Sequence, residues 1–119
     1  MGLNQRPQSH LAILLSTPPQ HLNVRTIVSL SRAALSKGHR VSLFLLSDGI
    51  YNALPGPADS PASALEELIG EGLDVRICSF SALGRGIGAE DVIDGLTFGS
   101  LFDFSVMVRE CDRFLCFGR

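Results

Sequence analysis

With 119 residues, 45% of them hydrophobic and 18% charged, the chain has the length of one domain and too much apolar content to be disordered. Ten basic side chains against twelve acidic ones leave a formal net charge of −2, which argues against a protein that grips nucleic acid by charge alone. No apolar run reaches bilayer length, and three cysteines without a Cys-x-x-Cys point to free thiols, a reducing cytoplasmic setting, and neither metal nor cofactor.

Residues 1–9 read as a polar, flexible leader without the apolar stretch of a signal peptide, and residues 10–119 as a single domain. Leu11 to Leu15, closed by Ser16-Thr17-Pro18-Pro19, is apolar on both faces and suits an interior parallel strand. Val24, Ile27, Val28, Ala34 and Leu35 then recur at helical spacing. Asn23 or a neighbour can cap that helix, and Lys37-Gly38 supplies a basic last turn and a left-handed stop. Val41 to Leu46 is a second buried strand ending in Ser47-Asp48-Gly49, which completes a βαβ unit with an expected right-handed crossover.

Asn52 to Ser60 carries Pro55, Gly56 and Pro57 and reads as a loop. Pro61 opens a helix with Leu65, Leu68 and Ile69 on its apolar face, stopping at Gly70 to Gly72. Asp74 to Phe80 reads as the third strand, with Val75 and Ile77 on one face and Arg76 and Cys78 on the other. After a glycine-rich segment, Ser100 caps a helix with Asp103 at its third position, and Leu101, Phe104, Val108 and Cys111 form the inner stripe. Arg113 to Phe117 is the fourth strand. Four strands alternating with three helices predict an α/β fold, an open, mostly parallel sheet with helices on both faces.

In such sheets chemistry sits beyond the carboxyl ends of the strands. Here those ends are Ser16 to Gln20, Ser47 to Asn52, Cys78 to Gly88 and the segment after Phe117. Gly84-Arg85-Gly86-Ile87-Gly88-Ala89 spells a dinucleotide fingerprint, but it follows the third strand and no carboxylate ends the next one, so flexible-loop glycines explain it better. Cys78 carries the most chemical promise. It ends a strand before a serine-rich turn whose backbone N–H groups can face the sulfur, and Arg85 follows seven residues on. Oriented amides and a guanidinium favour the thiolate, the nucleophilic form; a small hydrophobe finishing a buried strand is the other reading. Cys111 and Cys116 read as structural, with a Cys78–Cys116 disulfide conceivable by their position at one end of the sheet. His10, His21 and His39 are dispersed and form neither a metal set nor a Ser-His-acid group. Asp48, Tyr51 and Asn52, with Ser79 and Gly86, are candidate binding positions around the same strand ends.

Several segments together resemble the DsrE/TusD family of small sulfur-transfer proteins. They are Ala12-Ile13-Leu14-Leu15 with Pro18-Pro19, Ala34 to His39, Asp48-Gly49-Ile50-Tyr51-Asn52, Val75-Arg76-Ile77-Cys78 with Ala82-Leu83-Gly84-Arg85-Gly86, and Cys111 to Phe117. The resemblance implies a flavodoxin-like α/β subunit in which Cys78 accepts sulfane sulfur as a persulfide, with Arg85 stabilising the thiolate. It further implies transfer to a partner of the DsrC/TusE type, for sulfur oxidation or tRNA thiolation, and homo- or hetero-oligomers of related subunits. Neither direct nucleic-acid binding nor a membrane is expected. Two departures touch the site: Gly84 stands where TusD-like sequences tend to carry another arginine, and the segment between Gly88 and Phe98 is shorter than the family pattern. The rival readings are a non-catalytic assembly subunit, which would bury Cys78, and a small-ligand module lined by Asp48, Tyr51 and Asn52.

Overall fold

The computed structural model describes residues 8–118. Most of the expected leader, residues 1–7, lies outside the described residues. Gln8 and Ser9 are tied down: Gln8 Nε2 donates to the Gly38 carbonyl and the Ser9 N–H to His39 Nδ1, both at 3.1 Å.

Five strands and four α-helices follow: β1 His10–Leu15, α1 Asn23–Ser36, β2 Arg40–Leu45, α2 Pro61–Gly70, β3 Asp74–Cys78, α3 Ser79–Gly84, β4 Thr97–Gly99, α4 Leu101–Glu110 and β5 Arg113–Phe117. Among the described residues, the 3₁₀ segments Ser47–Ala53 and Ala89–Asp91 fill connections. The strands form one sheet in the order β4-β3-β2-β1-β5, and every neighbouring pair is parallel.

This order explains the layers. From β1 to β3 the chain steps one way across the sheet, with α1 and α2 supplying Val24, Ile27, Ala62, Leu65 and Leu68 to one face. The return to β5 runs the other way, and right-handed crossovers then require α4 on the opposite face. It lies there, where Met107 joins Ala12, Phe44 and Cys78 in a second, smaller apolar cluster. Strand alternation sorts the residues: Ile13, Leu43, Val75 and Ile77 serve the larger core, and Ala12, Phe44 and Cys78 the smaller.

Four sequence expectations need correction. The third strand ends at Cys78, because the chain turns into α3 and leaves Phe80 82% exposed. The glycine-rich segment hides a further strand, β4, whose three residues are too few to show an alternating pattern; Cys78 pairs with Gly99 in its register. Asn23 does not cap α1, for its Nδ2 donates to Thr17 Oγ1 at 3.1 Å and Leu22 takes the capping position without a side-chain bond. Leu101 is 57% exposed, because it sits in the first turn of α4; Met107, with Phe104 beside it, faces the cluster instead.

The caps at the other helices behave as their residues dictate. Ser100 Oγ accepts the Asp103 N–H at 3.2 Å and Asp103 Oδ2 accepts the Ser100 N–H at 2.7 Å. A cap of this kind is worth about 1 kcal/mol. Gly38, at φ +85°, ends α1 with the left-handed residue that glycine supplies without strain.

Candidate functional site

The carboxyl ends of β2 and β3 are stitched together by polar bonds that begin at Cys78. Its Sγ accepts the backbone N–H of Ser81 at 3.4 Å, in the manner of a helix cap. Ser81 is itself buried, and its Oγ accepts the backbone N–H of Ser47 at 2.9 Å. Ser47 stands in the left-handed region, at φ +53°. Beside it, a Cβ on Gly49 would run into the Leu15 carbonyl oxygen, so this turn packs backbone against backbone.

Arg85 closes the group from the other end of α3. Its Nε and Nη2 both donate to Asp48 Oδ1, at 3.2 and 2.8 Å, and its Nη1 donates to the Ser81 carbonyl at 3.2 Å. The guanidinium carbon lies 6.0 Å from the centre of the Tyr51 ring. The hydrogen bonds of Arg85 thus go to a carboxylate and a carbonyl, and its link to Cys78 runs through Ser81.

Asp48 and Tyr51 also line a cavity of about 480 Å³ with Pro18, Pro19, Gln20 and Leu54. Asn52 is not among its walls. It is 1% exposed, and its Nδ2 donates to the carbonyls of Thr17 and Gly49 at 3.0 and 2.9 Å, so it braces two loops. Ser79 and Gly86 are exposed at the two ends of α3, Gly86 at φ +69°. Sequence reasoning did not single out Ser47 or Ser81; the signal available was a serine three residues after a strand-ending cysteine, the spacing of a helix cap.

Cys78 is 1% exposed. Its closest surroundings are apolar, yet the rim of the same sheet corner is bare: Phe80 and Leu83 of α3 are 82% and 79% exposed, and Phe102 of α4 is 73% exposed. Core packing accounts for Phe104, whose ring lies 5.0 Å from that of Phe44, and leaves Phe102 bare.

All three cysteines are free. A Cys78–Cys116 disulfide is ruled out by topology, because β2 and β1 lie between β3 and β5. Three strand spacings amount to about 14 Å, twice the reach of a disulfide, about 7 Å between Cα atoms. Cys116, read from sequence as structural, is exposed on β5, which has a neighbour on one side alone. Cys111 donates its thiol to the Val108 carbonyl at 3.1 Å. Among the described residues no group of three His, Cys, Asp or Glu side chains could hold a metal ion, and no helix is long and apolar enough to cross a membrane.

A parallel α/β domain with a cysteine ending its third strand defines the class. Residues 9–117 match the model of the DsrE/DsrF-like family, and the chain belongs to that family. It is 32% identical to a protein of Pseudomonas aeruginosa named Sulfurtransferase TusD homolog, over 90% of this chain and 95% of that one. The fold is that of YchN from Escherichia coli, at TM-score 0.77 and 24% identity over 93% of this chain and 100% of YchN. It is equally that of MTH1491 from Methanobacterium thermoautotrophicum, at TM-score 0.79 and 17% identity over 92% and 99% of the two chains.

Proposed function

We propose that this protein is a cytoplasmic sulfur-relay subunit that carries sulfane sulfur as a persulfide on Cys78. The observation that carries the reading is the position of Cys78, at the end of β3 with a backbone N–H on its sulfur, in a chain similar to a sulfurtransferase homolog. In the first step the Cys78 thiolate attacks the outer sulfur of a donor persulfide. A new S–S bond forms at Cys78, the donor's S–S bond breaks, and the donor leaves as a thiolate. In the second step a partner thiolate attacks that outer sulfur and Cys78 leaves as a thiolate. Nothing is oxidised or reduced overall.

Asp48, Arg85 and Ser81 act in this scheme as a brace that fixes the first turn of α3, and with it the N–H that faces the sulfur. Ser79 and Gly86, exposed at either end of α3, and Tyr51 line the partner's approach. Phe80, Leu83, Leu101 and Phe102 offer the apolar contact surface for a DsrC/TusE-like acceptor or for related subunits.

The 1% exposure of Cys78 favours a second reading, an assembly subunit without its own relay step. Intact-mass analysis after incubation with a persulfide donor separates the two. A reducible gain of one sulfur in wild type, absent in Cys78→Ser, establishes the carrier; no gain in wild type leaves the assembly subunit.

A further inference from the structure

At the amino ends of the strands, away from Cys78, lies a buried polar group that sulfur transfer does not use. His10 Nε2 is 2.8 Å from Ser42 Oγ, and Ser42 Oγ donates to Asp74 Oδ2 at 3.4 Å. His10 and Ser42 are 6% and 3% exposed. His10 Nδ1 and Arg76 Nε are both buried without a hydrogen-bond partner. The two residues line one cavity of about 40 Å³, walled by Arg40, Ser42 and Asp74 and roofed by Asp103, Val106, Met107 and Glu110 of α4.

The geometry suits a neutral imidazole. With Nε2 committed to Ser42, a second proton would place an N–H on Nδ1, where the protein offers no acceptor and the space admits about one water. The charged groups around the ring are Arg40 of β2, Asp74 and Arg76 of β3, Asp103 and Glu110 of α4, and Asp112. Asp112 is already engaged, since its Oδ2 accepts the His10 backbone N–H at 2.8 Å. Burial, aided by Arg40, holds the His10 pKa below its ordinary 6.5 against the pull of Asp112, Asp74 and Glu110. A proton that the packed state resists favours any state that hydrates the ring. On this face the roof is α4, and lifting it hydrates Nδ1 while the sheet stays whole.

Met107 connects this cavity to the thiol, for it lines the one and belongs to the apolar cluster that holds the other. We propose that protonation of His10 loosens α4 from the sheet and so uncovers Cys78, an acid-sensitive latch at the far end of the helix from the thiol's sheet corner. The consequence for sulfur transfer rests on Cys78 being the carrier; the loosening of α4 does not.

The test is amide hydrogen exchange by NMR on the full chain at about pH 7.5 and about pH 5.5, corrected for intrinsic exchange, with α1 as internal reference. Relative to α1, protection of α4 in wild type should fall at the lower pH, by up to about tenfold, the ceiling for a group of ordinary pKa 6.5 one unit below it. The His10 ring and the Met107 methyl should titrate with one midpoint. In His10→Gln, which keeps a hydrogen-bonding group but takes no proton, the α4-to-α1 ratio should be the same at both pH values. Unchanged α4 protection in wild type, loss of α1 and α4 together, or a full pH response in His10→Gln would overturn the latch. If His10→Gln does not fold, differing midpoints for His10 and Met107 in wild type do so instead. Exchange in Cys78→Ser reads the latch without sulfur chemistry. A pH-responsive α4 with no persulfide in wild type removes the carrier alone, and a persulfide with a pH-blind α4 removes the latch alone.

Discussion

Arg85 holds Asp48 through two nitrogens, at 2.8 and 3.2 Å, while its third bond reaches the carbonyl of Ser81, the residue whose N–H faces Cys78. The guanidinium therefore holds the backbone whose N–H faces the thiol, and its charge is already met by a carboxylate.

That arrangement predicts a modest coupling. Asp48 and Arg85 have side chains 54% and 27% exposed, so a double-mutant cycle with Asp48→Asn and Arg85→Gln should return about 0.5–1 kcal/mol in urea unfolding. Arg85→Lys should not restore it, because an ammonium cannot span a carboxylate and a carbonyl with a planar fork. A coupling indistinguishable from zero would mean that the pair does not brace α3.

Met107 is 5% exposed in the small cluster that contains Cys78. Met107→Ala should lose about 2–5 kcal/mol of stability, and it should also speed iodoacetamide labelling of Cys78. Labelling at the wild-type rate, in a folded variant, would show that α4 does not govern access to the thiol.

Stability should fall in two stages as pH is lowered. His10 has its pKa held below 6.5 by burial first and Arg40 second, so the unfolded chain takes the proton more readily. Its contribution is complete above about pH 6.5 and is lost as pH drops through the folded-state value. Asp103 has its carboxyl held below 3.8 by the N–H and then the hydroxyl of Ser100, so its contribution is complete above 3.8 and lost below it. Urea midpoints measured across this range should show both arms, with His10→Gln flattening the upper and Asp103→Asn the lower, while Ser100→Ala, which keeps the N–H, should only shrink the lower.

Periodicity and turn chemistry make most of the fold legible in the sequence. Leu11–Leu15 and Val41–Leu45 are buried on both faces, with Ser42 the one polar residue among them, because the sheet is covered on both, and Gly38 and Pro61 stop and start helices where such residues do. What stayed hidden was short. Thr97–Gly99 and Ser79–Gly84 carry too few residues for a period, and their structure is set by pairing with β3 and by the sulfur cap of Cys78. At the site, Cys78 was visible as a cysteine ending a strand, whereas its burial depends on Met107 and Phe44, which come from distant parts of the chain. The partnership of Arg85 and Asp48, 37 residues apart, was likewise beyond the reach of spacing arguments.

β1 and β5 are neighbours in the sheet, yet the hydrogen bond that opens their pairing, from His10 to Asp112, joins residues 102 apart. During synthesis β1 precedes β2 and β5, and its edge toward β5 stays bare until Phe117 has been made. Contacts between residues so far apart in sequence are the kind that slow folding. Until then the chain exposes an unpaired apolar strand edge, the kind of surface on which incompletely folded chains aggregate.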